Sequence, residues 1–390
     1  MKGLMLLAWK HACFHWCRSL LLLASISLCL STPMAIHWMT GDIEQALLQR
    51  ARDVPFLVGR PGSAIDLVVA GIYFRPQQVG EIPYATLAEH EQDQLVQAIP
   101  LHLSHTAREA PIVGTTLHYF QRLHLNLADG SMPVRLGDCL LGAKLARRWQ
   151  LGPGDYLLSD SDSFLNPAGQ LPLKMRITGV LRSAGSIDDE AVFVDVKSCW
   201  LMDGIGHGHE DAVRASDAQR LEADSRSVTM GANVQKFTEI TPENINTFHF
   251  HGDMQTFPLS AILVFPADER SAILWEGRQQ QRQDLKTVIP EIIVADLISL
   301  LVNLQTVVDI VAALLGLATC LLLGFLISLS LQLRNDELET FQALGAGRSV
   351  RFKLITLDLL MILLAALPVT IALALLQILV GKPFLMELLM

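Results

Sequence analysis

The chain has 390 residues, is 51% hydrophobic and only 18% charged, and carries a net charge of −9. Soluble domains carry about 25% charged residues, so this balance argues against an ordinary soluble protein and towards a membrane protein. The negative charge gives no electrostatic basis for nucleic acid as a partner.

In chain order, residues 1–18 read as a cytoplasmic amphipathic segment with Lys2, Lys10, Arg18, Trp9 and Trp16. The uncharged run 19–39 reads as a first transmembrane helix, since a span takes about 20 apolar residues. A cleaved signal peptide is the competing reading. The long tryptophan-bearing segment before the run favours a retained helix, and Leu28 before Cys29 is not the small residue of a lipoprotein site.

Residues 40–290 have globular composition and read as one mixed α/β domain inserted between the membrane helices. Residues 42–52 suggest a short helix. Phe56–Gly59, Ile112–Gly114, Met175–Leu181, Ala191–Val196 and Ala261–Phe265 suggest strands. Cys139–Trp149 is a helical candidate closed by Leu151-Gly-Pro-Gly-Asp155. Residues 210–230, rich in Asp, Arg, Ser and Ala without apolar periodicity, suggest a mobile insertion. Cys139 and Cys199 are the two cysteines of this region, either bridged or serving as small core residues.

Residues 291–333 read as one continuous helix, a stalk that becomes a second span. Leu297, Leu300, Leu301, Leu304, Val308 and Val311 recur at helical spacing, a stripe that packs either on the chain's own domain or across a dimer axis. A cytoplasmic loop, 334–353, leads to a third span, 354–380, with Pro368 as a kink, and to a tail, 381–390. Lys2, Lys10 and Arg18 fall on the same side as Arg334, Arg348, Arg351 and Lys353. The positive-inside rule makes that side cytoplasmic and the large domain extracytoplasmic.

No catalytic constellation stands out, and a non-enzyme is expected. Gly137-Asp-Cys-Leu-Leu-Gly142-Ala-Lys144 has paired glycines but lacks the Gly-Lys-Ser/Thr ending that places a lysine and a hydroxyl on phosphates and metal. No Gly-x-Ser-x-Gly elbow is present. The most suggestive residues are His207 and His209 in Gly206-His-Gly-His-Glu-Asp211, and His249 and His251 in Phe248-His-Phe-His-Gly252. On a strand, i, i+2 spacing places both imidazoles of a pair on one face. Either the pairs build a zinc-like site, or the phenylalanines pack inward and the histidines face solvent.

The segment Arg334-Asn-Asp-Glu337-Leu338-Glu-Thr-Phe341-Gln-Ala-Leu344-Gly345-Ala346-Gly-Arg348 resembles the cytoplasmic loop of FtsX/MacB-like ABC transporter permeases. Glu337 and Glu339 suit a helix start, Leu338, Phe341 and Leu344 share a face, and Gly345 and Gly347 suit its end. Leu141–Asp155, Ile177–Leu181 and Val192–Asp195 are similar, in that order, to the MacB-type periplasmic core domain. The resemblance implies a multi-pass permease subunit of the bacterial inner membrane. Its partners would be a separate cytoplasmic ABC ATPase and a second copy or a related permease, with no cofactor of its own. Arg334, Glu337, Leu338, Phe341, Leu344, Gly345, Ala346 and Arg348 would form the ATPase-coupling element. The family commonly has four spans where three are read here, so a partner supplies the fourth or three suffice. The other reading is a membrane-anchored extracytoplasmic binding or sensor module, metal-responsive through its histidines.

Overall fold

The structure, a computed structural model, describes residues 2–75, 79–160, 172–208, 220–224, 227–230, 238–333 and 348–389. The chain starts with helices α1 (Lys2–Phe14) and α2 (Trp16–Arg52). Next come β1 (Phe56–Gly59), α3 (Ala64–Tyr73), β2 (Ile82–Pro83), α4 (Ala85–Glu91), β3 (Val96–Ala107), β4 (Ala110–Thr115) and α5 (Leu117–Arg122). They are followed by β5 (Leu127–Gly130), β6 (Asp138–Leu141), α6 (Ala143–Trp149), β7 (Tyr156–Leu158), β8 (Lys174–Leu181), β9 (Val192–Asp195) and α7 (Val196–Met202). The later strands are β10 (Gly206–Gly208), β11 (Arg220–Asp224), β12 (Ser227–Met230), β13 (Phe248–Phe250), β14 (Pro258–Leu259) and β15 (Ala261–Pro266). Helix α8 (Glu269–Gln279), β16 (Lys286–Val288) and the long helices α9 (Pro290–Leu333) and α10 (Arg348–Leu389) complete the described elements. Two compact units result, Met1–Gln45 with Leu297–Met390, and Ala46–Asp296.

On the described faces of α2 and α10, the buried positions are mostly small residues and many large apolar ones are exposed. On α2, Ser27, Ser31, Ala35 and Met39 are buried at successive i+4 positions; on α10, Ile362, Ala366, Thr370 and Ala374 repeat the pattern. The two stripes meet: Ser27 Oγ donates to the Ala366 carbonyl at 3.3 Å, and a Cβ on Gly381 would lie 3.0 Å from the Met39 methyl. Leu363, Leu364, Leu367, Ile371, Leu375 and Leu376 face outwards. This is the reverse of a water-soluble bundle and matches helices that pack through small residues within lipid. Two described helical segments, Ser19–Arg52 and Leu360–Gly381, are long and apolar enough to cross a membrane. Helix α9 is continuous over 44 residues, as the sequence suggests.

The other unit is built on a ten-stranded mixed sheet in the order β16-β1-β15-β3-β4-β9-β6-β8-β5, with β7 also pairing β8. The β4–β9 and β6–β8 pairs are parallel and the remaining pairs antiparallel. Strand β8 alternates half-buried and buried residues, with Met175, Ile177 and Leu181 inward, the period-two pattern that marks it in the sequence. Two apolar clusters fill the core, one around Ile112, Cys139, Ile177 and Cys199, the other around Val58, Trp200, Ile262 and Trp275.

Two sequence expectations need correction. The helix expected over Cys139–Trp149 begins only at Ala143; Asp138–Leu141 is a strand buried along its whole length between β8 and β9. A continuous apolar run suits such a central strand as well as a helix, so periodicity cannot separate them. The helix expected over 42–52 is the end of uninterrupted α2. Of the expected mobile insertion 210–230, residues 220–224 and 227–230 pair antiparallel as β11 and β12, and the rest lies outside the described residues. Cys139 and Cys199 are free thiols, both buried in the same apolar cluster.

Candidate functional site

Helix α7 begins with Asp195 accepting a hydrogen bond from the Lys197 amide, and buries Trp200 against Tyr84, Phe250 and Phe257. The chain leaves the helix through Asp203 and turns at Gly204, whose φ of 78° lies in the left-handed region that glycine adopts without a Cβ penalty. That turn starts β10, which pairs antiparallel with β13 in the register Gly206↔Phe250, His207↔His249, Gly208↔Phe248. The His251 amide then donates to the Ile205 carbonyl at 2.9 Å.

This register explains the composition of both motifs. A Cβ on Gly206 would lie 2.7 Å from Phe250, and one on Gly208 2.6 Å from the Phe248 ring, so the glycines make room for the phenylalanines. His207 and His249 are direct cross-strand partners, and His251 lies two residues beyond His249 on the same face. The three rings form a near-equilateral group, with centroids 4.9 Å apart for His207–His249 and 4.8 Å for both His207–His251 and His249–His251. Their nearest ring nitrogens lie within 4.8 Å of one another. His207 and His249 are half-buried and His251 is exposed. Nδ1 of His249 is 3.1 Å from the Thr247 carbonyl, an acceptor only, so Nδ1 is the donor of that contact.

Three of the four histidines singled out from the sequence therefore converge. His209 lies outside the described residues, as do Arg334, Glu337, Leu338, Phe341, Leu344, Gly345 and Ala346; Arg348 opens α10.

A second group was not anticipated. His102 and His105 on β3 flank Asp203: His102 Nε2 is 2.9 Å from one carboxylate oxygen and His105 Nε2 2.8 Å from the other. Burial pushes the Asp203 carboxyl up, but the hydrogen bonds and charge of His102 and His105 outweigh it and hold the group down at about 2. The sequence carries only a His-x-x-His, and i, i+3 on a regular strand places side chains on opposite faces. A β-bulge between His102 and His105 brings both to Asp203.

A third polar group is fully buried. Arg50, near the end of α2, reaches Asp188 at 3.0 and 3.1 Å and donates to the Tyr119 hydroxyl at 2.8 Å, while Tyr119 donates to Asp188. Burial pushes the Tyr119 phenol well above its usual range, so it remains a neutral donor. Ser186 Oγ adds a further donor to Asp188 at 2.7 Å.

No family model and no curated protein matches the sequence. Among solved structures, the chain is similar to the periplasmic region of MacB from Actinobacillus actinomycetemcomitans, at 9% identity and TM-score 0.35, over 63% of this chain and 94% of that one. It is also similar to the extracellular domain of the noncanonic ABC-type transporter YknZ from Gram-positive bacteria, at 9% identity and TM-score 0.32, over 60% of this chain and 98% of that one. A domain of a permease protein from Porphyromonas gingivalis aligns at 11% identity and TM-score 0.24, over 54% and 76% of the two chains.

Proposed function

We propose that the chain is the membrane-spanning permease subunit of an ABC-type transporter or mechanotransmission complex, working with a cytoplasmic ATPase on a separate chain and with a second permease copy or relative. The observation that carries this reading is the sequence of the segment Arg334–Arg348, an acidic start followed by Leu338, Phe341 and Leu344 at three-residue spacing and a Leu-Gly-Ala-Gly close, lying in the chain between the long helices α9 and α10. The inverted burial of α2 and α10 supports placement in a membrane. In this mechanism ATP-driven closure moves the 334–348 segment, and α9 passes the movement outwards as a lever.

Replacing Glu337, Phe341 and Leu344 together by alanine is the test. The expected outcome is loss of ATPase co-purification from membranes, with the permease still inserted and present at normal level. Retained ATPase association and unchanged cellular activity would sink the reading in favour of a membrane-anchored sensor that needs no ATPase.

A further inference from the structure

We propose that His207, His249 and His251 form a binding site for a divalent transition-metal ion of the zinc class, independent of any ATPase coupling. Among the described residues this group consists of imidazoles alone. Imidazole nitrogen is a ligand of choice for zinc, copper and nickel, whereas magnesium and calcium take oxygen. Three nitrogen ligands on a partly exposed face leave a fourth tetrahedral position for water or an incoming ligand.

The backbone supplies the preorganisation. Direct pairing of His207 with His249 fixes two ligands across a strand pair, and the pleat puts His251 on the same face. The Thr247 carbonyl holds the proton of His249 on Nδ1, the outer contact that metal-bound imidazoles typically make. On the opposite face, Phe250 packs on Trp200 and Phe257, so the strand that carries the ligands is anchored in the core. A tetrahedral ion with ligands at 2.0–2.1 Å needs nitrogens about 3.3 Å apart. These nitrogens, within 4.8 Å, leave space for the ion and need only side-chain rotation to close on it.

The test uses the full-length chain in detergent, stripped with chelator, desalted and titrated with zinc chloride against a chromophoric chelator. One zinc per chain is expected, together with a cobalt-substituted form that shows the intense visible bands of tetrahedral coordination. His251→Gln should weaken zinc binding by about tenfold or more. The triple variant His207→Ala, His249→Ala, His251→Ala should abolish it. The pair His102→Gln, His105→Gln should leave it unchanged. Absence of stoichiometric zinc on the wild-type chain, or zinc retained at full affinity by His251→Gln and by the triple variant, overturns the proposal. So does zinc lost through the His102, His105 pair while the triple variant retains it. None of these outcomes bears on ATPase co-purification, so the two readings fail separately.

Discussion

Two histidine groups are linked along the chain by the short step Asp203-Gly204-Ile205-Gly206-His207, from the carboxylate of one to the first imidazole of the other, yet they are built on opposite principles. In one, His102 and His105 meet a carboxylate of their own, both oxygens are engaged at 2.8–2.9 Å, and His102 is fully buried. Those atoms sit closer than the roughly 3.3 Å that ligands of a tetrahedral ion require, so an ion would have to force them apart. In the other, three imidazoles face one another on a partly exposed strand pair. In the first group the Asp203 carboxylate is met within the fold by two imidazoles; the second brings three imidazoles together with ring nitrogens within 4.8 Å of one another and so suits an added cation. A count of potential ligands is the same for both. What separates them is whether one of the three ligating groups is a carboxylate.

The comparison predicts that the closed polar groups carry stability and the open one does not. The largest effect belongs to the most buried closed group. Asp188→Asn should destabilise the sheet domain by about 3–5 kcal/mol, because it leaves the buried Arg50 guanidinium without its counter-charge. Thermal unfolding followed by tryptophan fluorescence reads this directly, since Trp200 and Trp275 are fully buried in that domain. An unchanged transition would show that Arg50 finds water or another partner.

Next comes Asp203. Its folded value, about 2, lies below the ordinary 3.8, so the charged form stabilises the fold. The sign follows: the contribution is complete above about pH 4 and is lost as pH falls through the folded value near 2. Its size is about 2 kcal/mol from a shift of this order. Asp203→Asn should therefore be less stable than wild type at pH 7 and nearly level with it near pH 2. Denaturant unfolding at several pH values measures the gap. A gap that stays constant between pH 7 and pH 2 would mean that Asp203 acts through shape alone.

Local patterning made much of the architecture legible and long-range pairing the rest illegible. The alternation of β8 and the apolar run of β15 announced strands correctly, because each signal is contained in a few neighbouring residues. The Phe-His-Phe-His and Gly-His-Gly motifs showed which side chains share a face. They could not show that the two faces meet, since that depends on the β10–β13 register between distant segments. The His102–Asp203–His105 group was hidden twice, by the bulge that reverses the side-chain parity of β3 and by the separation of Asp203 in sequence. Strand β6 reads as helix because all four of its residues are buried, so neither face offers exposed polar residues to alternate with.

The smallest expected effect is the sharpest discriminator between the two kinds of cluster. His251 is exposed, so in metal-free protein His251→Gln removes little packing and should shift stability by no more than about 0.5 kcal/mol. With zinc at a hundredfold over its dissociation constant, wild type should gain about 2.7 kcal/mol, because an ion that binds only the folded state stabilises by mass action. The variant should gain clearly less at the same zinc concentration. Parallel melts of the two proteins, with and without zinc, therefore separate the roles of this face. Equal melts without zinc and unequal melts with it mark a site whose function is to receive a ligand. A large loss for the metal-free variant would instead make the three-histidine group a structural element like His102–Asp203–His105, and the contrast between the two would collapse.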